Sequence, residues 1–183
     1  MKYNELYNRI LDQLRDTAGN VPDEQVDTMI EAIFNAKQIF IGGAGRSLLM
    51  MRSLAMRLMQ FGFNSHVVGD TTTPAIREGD LLILGTNSGE TKNLKSWVAV
   101  AKDNNAKILV ITSNPESTIG KEADYIVQFN KIVDTDKIQS SGSSFEQSLL
   151  IFCDAVVMCM FNTGRLSDDE IDKFIRVRHA NLE

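Results

Sequence analysis

A chain of 183 residues that is 43% hydrophobic and 23% charged has the balance of an ordinary globular domain, long enough to bury about 70% of its unfolded surface; with three prolines it is neither disordered nor fibrous. Lys and Arg total 19 against 24 Asp and Glu, giving a net charge of −5, and no basic run or aromatic-interleaved basic patch offers a surface to nucleic acid. The charged N-terminal stretch and the want of an apolar segment near the ~20 residues of a membrane span argue against a membrane and predict a cytoplasmic protein of one domain, 1–183, with N-terminal helices over 1–36 and a core over 37–183.

In chain order, two helical stretches come first, Tyr3 to Thr17 and Asp23 to Ala36, the second opened by Pro22 and Asp23. Lys37 to Gly42 reads as a strand, Ser47 to Phe61 as a helix and Ser65 to Val68 as a strand. The alternation continues with a strand at Asp80 to Leu84, a helix at Glu90 to Asn104 and a strand at Ala106 to Thr112. A short helix at Ile119 to Glu122 and a strand at Asp124 to Gln128 follow. Two helices, Ser143 to Asn162 and Asp168 to Val177, close the chain. Strands alternating with helices predict an α/β fold of three layers around a parallel sheet, with ligands at the C-terminal ends of the strands.

The segments Leu48 to Phe61 and Ile151 to Phe161 are apolar on nearly every face, which predicts burial or a shared face in a homo-oligomer. Cys153 and Cys159 fall six apart in one helix, about 9 Å between Cα atoms, too far for a disulfide. Both are expected as buried thiols in a reducing compartment, and with no neighbouring His they make a poor metal site, so no metal is expected.

Two strand ends carry the chemistry. Thr86-Asn87-Ser88-Gly89-Glu90-Thr91 follows the apolar run Leu81 to Gly85 and precedes a helix, so hydroxyls and free backbone N–H groups converge where a helix dipole is positive: a seat for phosphate. Glu90 is an awkward neighbour for an anion, and its carboxylate is expected to point away from the seat. Gly42-Gly43-Ala44-Gly45-Arg46-Ser47 ends the first strand but lacks the third glycine of a dinucleotide fingerprint, where Leu48 stands, and the Gly-Lys-Ser/Thr of a triphosphate loop. What it offers is a glycine turn open to a ligand, with Ser47 as donor and Arg46 as cation.

Ser143-Ser144-Phe145-Glu146 has the spacing of a capping box, with Ser143 as cap, and the alternative for Glu146 is a general base at the mouth of the site. His66, inside a strand, reads as structural. His179, in the polar tail Arg176 to Asn181, has no packing reason to be there and suits proton transfer.

Taken together, Gly43 to Ser47, Phe61-Gly62-Phe63, Val68 to Pro74, Thr86 to Thr91, Phe145 to Leu150 and His179 to Glu183 resemble the 6-phospho-3-hexuloisomerases, proteins of the sugar isomerase (SIS) domain type. The resemblance runs from about Ile33 to the C-terminus. It implies a five-stranded parallel sheet between helices, extra terminal helices, dimers or homotetramers with sites near subunit interfaces, and no cofactor. The implied activity is interconversion of D-arabino-hex-3-ulose 6-phosphate and D-fructose 6-phosphate through a cis-enediolate, in the ribulose monophosphate route of formaldehyde fixation. By position, Ser47, Thr86, Ser88 and Thr91 hold the phosphate, with Gly45, Arg46, Asn87, Gly89 and Glu90 around it. Glu146 is the base, and His179, from the same or a neighbouring subunit, assists with oxygen protons or ring opening.

Two positions differ from the family pattern: Thr86-Asn87 stand where Ser-Gly is common, and Ser140-Ser141 where Pro-Met is frequent. Two other readings compete. One is an isomerase of another sugar phosphate such as arabinose 5-phosphate, whose enzymes usually carry further regulatory domains while this chain ends soon after its core. The other is a non-catalytic sugar-phosphate sensor, against which stand Glu146, His179 and the absence of a DNA-binding segment before the core.

Overall fold

The computed structural model describes residues 2–132 and 138–181. Leu182 and Glu183, part of the terminal segment of the resemblance, lie outside the described residues. Helices α1 (Tyr3–Ala18) and α2 (Asp23–Asn35) precede strand β1 (Ile39–Gly43), helix α3 (Gly45–Gln60) and strand β2 (Ser65–Val67). Strand β3 (Leu81–Gly85), helix α4 (Lys92–Asp103), strand β4 (Lys107–Thr112), a 3-10 turn at Gly120–Glu122 and strand β5 (Tyr125–Gln128) follow. Helices α5 (Ser143–Asn162) and α6 (Asp168–Arg178) complete the order.

The sheet is parallel throughout, in the order β2-β1-β3-β4-β5. Its strands are apolar on both faces because each face meets helices. Ile39, Ile41, Leu81, Ile83, Leu109 and Ile111 point to one core, shared with Met29 and Ile33 of α2, Met51 and Leu58 of α3, and Leu149 and Val156 of α5. Their sequence neighbours Phe40, Leu82, Leu84, Ile108 and Val110 point to the other, where α4 supplies Leu94, Val98 and Ala101. That is the period-2 alternation of a pleated strand. The two outer layers are unequal, since α4 is the one long helix on its face among the described residues.

Strand order reverses between β1 and β3, and in open α/β sheets ligands enter at the carboxyl ends of the strands where that reversal occurs. The loops leaving β1 and β3 are those at Gly43 to Ser47 and Thr86 to Thr91.

Three expectations need correction. Cys153 is buried but Cys159 is exposed, because the six-residue spacing turns the two to different sides of α5. The sequence promised no segment apt for a membrane, yet α5, with 20 residues and mean hydropathy 1.5, is long and apolar enough to cross one. Its apolar character has another use, since it lies against α1, α2 and α3 at the centre of the helical layer. Ser143 does not cap α5: the capping position is Gly142, at φ 86 and ψ −14, with no side-chain cap, so Ser143 is already inside the first turn. A capping box does form at α6, where Ser167 and Glu170 exchange the two bonds.

Candidate active site

Thr86 continues β3 by donating its N–H to the Ile111 carbonyl at 3.0 Å. Its side chain is buried beneath the loop, and Oγ1 accepts the Gly89 N–H at 3.2 Å, leaving the hydroxyl with its proton to donate. Ser88 is exposed and accepts the Glu90 N–H at 3.2 Å. Thr91 is the N-cap of α4 with no side-chain cap bond, which leaves its hydroxyl and the first N–H groups of the helix for a ligand. The helix begins at Lys92 rather than Glu90, so the whole of Thr86 to Thr91 is loop.

Gly89 is required by geometry. It sits at φ +66, in the left-handed region, and a Cβ there would fall 1.8 Å from Ser117 Oγ. Asn87 and Ser88 open onto a cavity of about 450 Å³ whose other walls include Ser113 and Asn114 after β4, Asn130 and Lys131 after β5, and Gly142 and Ser144 at the start of α5. From α1, Gln13 and Thr17 close the far side. A polar cavity of this size suits a hydroxyl-rich small molecule.

Beside it, the first turns of α3 and α5 meet. Arg46 Nη1 bonds Ser143 Oγ at 3.0 Å and lies 3.1 Å from Glu146 Oε2. The Glu146 side chain is 17% exposed, and Oε2 accepts no hydrogen bond, the guanidinium approaching it off the hydrogen-bond line. Glu146 is thus a mostly buried carboxylate next to one cation, with an oxygen in reserve. Ser47, half-buried, follows Arg46 on the first turn of α3, and Gly45 precedes it.

The Glu90 carboxylate is turned to Thr118 and Lys95. Lys95 first, and then the Thr118 donors, hold its pKa well below the usual carboxylate range, at about 2.

His179 is not brought to this site within one chain. It is the exposed C-cap of α6, with Nδ1 3.1 Å from its neighbour's carbonyl, while adjacent Arg178 bonds the Met59 carbonyl at 3.2 Å. Met59 is 13 residues beyond Arg46 on α3, about 20 Å at 1.5 Å per residue. His66 is held by Gln38 at 3.1 Å and packs at a tilt against the Phe40 ring.

Among the described residues, no group of three His, Cys, Asp or Glu is placed to hold a metal ion. Residues not singled out in the sequence are Ser113, Asn114, Asn130, Lys131, Gln13 and Thr17. A signal for the first two existed: Thr112-Ser113-Asn114 ends β4 with the same hydroxyl and amide types that end β3.

A doubly wound parallel sheet, with its glycine and hydroxyl loops at the reversal of strand order, defines the class: an α/β protein whose ligand site lies at the strand ends. Within that class the chain belongs to the SIS domain family, whose model matches residues 32–158. It is 43% identical to a 3-hexulose-6-phosphate isomerase of Bacillus subtilis, covering 100% of both chains. It is 39% identical to one from Mycobacterium gastri, over 95% of this chain and 88% of that protein. Among solved structures, it resembles a Methanococcus jannaschii protein whose inferred molecular function is that of a 3-hexulose-6-phosphate isomerase. The TM-score is 0.81 at 34% identity, over 97% of each chain.

Proposed function

We propose that this protein interconverts D-arabino-hex-3-ulose 6-phosphate and D-fructose 6-phosphate. The observation that carries the reading is the mostly buried Glu146 carboxylate set beside Arg46 next to the cavity of the loop 86–91. Full-length similarity to isomerases of that name supports the substrate. In this reading the enzyme acts in the cytoplasm, in the ribulose monophosphate route.

The chemistry follows from the parts. Ser47, Ser88, Thr91 and the start of α4 hold the 6-phosphate, with the Thr86 proton as a further donor. Phosphate binding energy, made far from the reacting carbons, orients them. Glu146 removes the C2 proton of the open-chain 3-ketose, α to its carbonyl, and the electron pair forms the C2–C3 double bond of a cis-enediolate. The proton held on Glu146 exchanges with solvent, and the carboxyl then delivers a proton to C3 while a proton passes from O2 to O3, giving the 2-ketose. Arg46 faces the oxygens on which negative charge develops.

In this reading His179 acts from a neighbouring subunit, which its place at the far end of α3 from Arg46 supports. The helical layer supports assembly, since Leu49 and Met56 of α3, Ile151 and Met158 of α5, and Tyr7 and Leu11 of α1 are exposed apolar side chains. Leu11 and Ile151 border one groove. Covering such a surface favours a homo-oligomer, read here as a tetramer.

The test is a panel of sugar phosphates supplied to the purified protein, with Glu146→Gln beside the wild type. Fructose 6-phosphate formed from 3-hexulose 6-phosphate, and lost in the variant, is expected. Turnover of arabinose 5-phosphate instead, or undiminished activity of the variant, contradicts the reading.

A further inference from the structure

The loop 86–91 carries one acidic side chain, Glu90, within a seat for an anion. The conflict is resolved by where that side chain goes. Oε1 accepts the Thr118 backbone N–H at 2.8 Å, Thr118 Oγ1 donates to Oε2 at 2.9 Å, and Lys95, one turn into α4, pairs with Oε2. The carboxylate is therefore neutralised and tied to the segment between β4 and β5.

The end of β4 and that segment together grip the loop from Asn87 to Glu90. Thr112 Oγ1 donates to the Asn87 carbonyl and Asn114 Nδ2 to the Ser88 carbonyl, both at 3.2 Å, and the Ile119 N–H reaches the Gly89 carbonyl at 3.1 Å. Since peptides are trans, three consecutive carbonyls fixed toward one side send the N–H groups of residues 88, 89 and 90 toward the other. Two of these are used inside the loop, Gly89 to Thr86 Oγ1 and Glu90 to Ser88 Oγ, which aims both hydroxyls. The bonds from Thr112, Asn114 and Ile119 all hold main-chain carbonyls, whereas the Glu90 clamp is made by a side chain and can be altered without touching the backbone.

We propose that Glu90 is a positioning residue of the phosphate seat: it does not touch the phosphate, but clamps the loop to Thr118 so that Ser88, Thr91 and the start of α4 hold their geometry before a ligand arrives. The proposal rests on the reading of Thr86 to Thr91 as the phosphate loop. A preformed seat binds more tightly because less ordering is left to the binding step.

The experiment compares wild type, Glu90→Ala and Glu90→Gln in fructose 6-phosphate turnover, with inorganic phosphate as a competitive probe and calorimetry of phosphate binding. Glu90→Ala is expected to raise KM and weaken phosphate binding in parallel, by about tenfold, with kcat changed less than about twofold. Glu90→Gln, which keeps one acceptor for the Thr118 N–H, is expected to recover part of that loss. A residue that merely supports the fold lowers the melting temperature and the active fraction without moving KM and phosphate affinity together. Wild-type phosphate affinity in Glu90→Ala, or a loss of kcat at constant KM, overturns the proposal. Phosphate binding that is weakened in Glu90→Ala, in a protein that turns over no hexulose phosphate, leaves the positioning role standing and removes the assigned reaction.

Discussion

Arg46 Nη1 stands 3.1 Å from Glu146 Oε2 and 3.0 Å from Ser143 Oγ, so the start of α3 reaches the start of α5 through a single guanidinium. The Arg46 side chain is 52% exposed while Glu146 is 17% exposed, which leaves the cation with donors to offer a substrate oxygen. Arg46→Met, similar in reach but uncharged, is expected to lower kcat by about 100-fold, the usual order for a lost oxyanion donor. Steady-state kinetics, with thermal melting to show an intact fold, checks this.

Gly89→Ala introduces a Cβ that overlaps Ser117 Oγ and Cβ, at a φ of +66 that side chains rarely adopt. A left-handed non-glycine residue costs about 1–3 kcal/mol. The expected result is a lower melting temperature together with weaker phosphate binding. Ser117→Gly in the same chain removes the overlap but not the backbone strain, so it is expected to restore stability only in part.

Glu90 makes stability depend on pH with a definite sign. Its pKa in the folded protein is held at about 2 by Lys95 and Thr118. In the unfolded chain it titrates at about 4.3. A depressed carboxylate stabilises above the unfolded value, and that contribution is lost as pH falls toward the folded value. The stability difference between wild type and Glu90→Gln, from urea unfolding, is therefore expected to be constant above about pH 5 and to shrink between about pH 5 and 2. A difference that grows on acidification contradicts the clamp.

His179 and Glu146 lie at opposite ends of α3 in one chain, and a shared site makes a clear demand. Mixing inactive Glu146→Gln with inactive His179→Ala after mild dissociation is expected to restore activity, because some interfaces then pair an intact Glu146 with an intact His179. No recovery, with mixed oligomers shown to form, places His179 outside the chemistry.

The strands and helices were legible because their apolar periods differ and glycines or prolines mark their ends; β1 to β5 fall within two residues of their expected bounds. The site was legible in its parts but not in its assembly. Ser143-Ser144-Phe145-Glu146 and Ser167-Asp168-Asp169-Glu170 share one capping spacing, yet only the second caps, because Gly142 in its left-handed conformation starts α5 one residue early. That shift frees Glu146 to face Arg46, 100 positions away in sequence, a pairing no local pattern announces. Thr86, read in the sequence as one of the phosphate-holding hydroxyls, is buried and also supports the loop from beneath by accepting the Gly89 N–H, a second role that no local pattern announces. Gln13 and Thr17 reach the cavity from α1 only because that helix packs on α5.

Isotope exchange reads directly whether Glu146 moves a proton between C2 and C3 of a hexulose 6-phosphate. Fructose 6-phosphate incubated with the protein in heavy water and followed by proton NMR is expected to take up deuterium at C3 and none at C1, with the exchange abolished in Glu146→Gln. Deuterium at C1, no exchange at C3, or exchange that persists in the variant contradicts it.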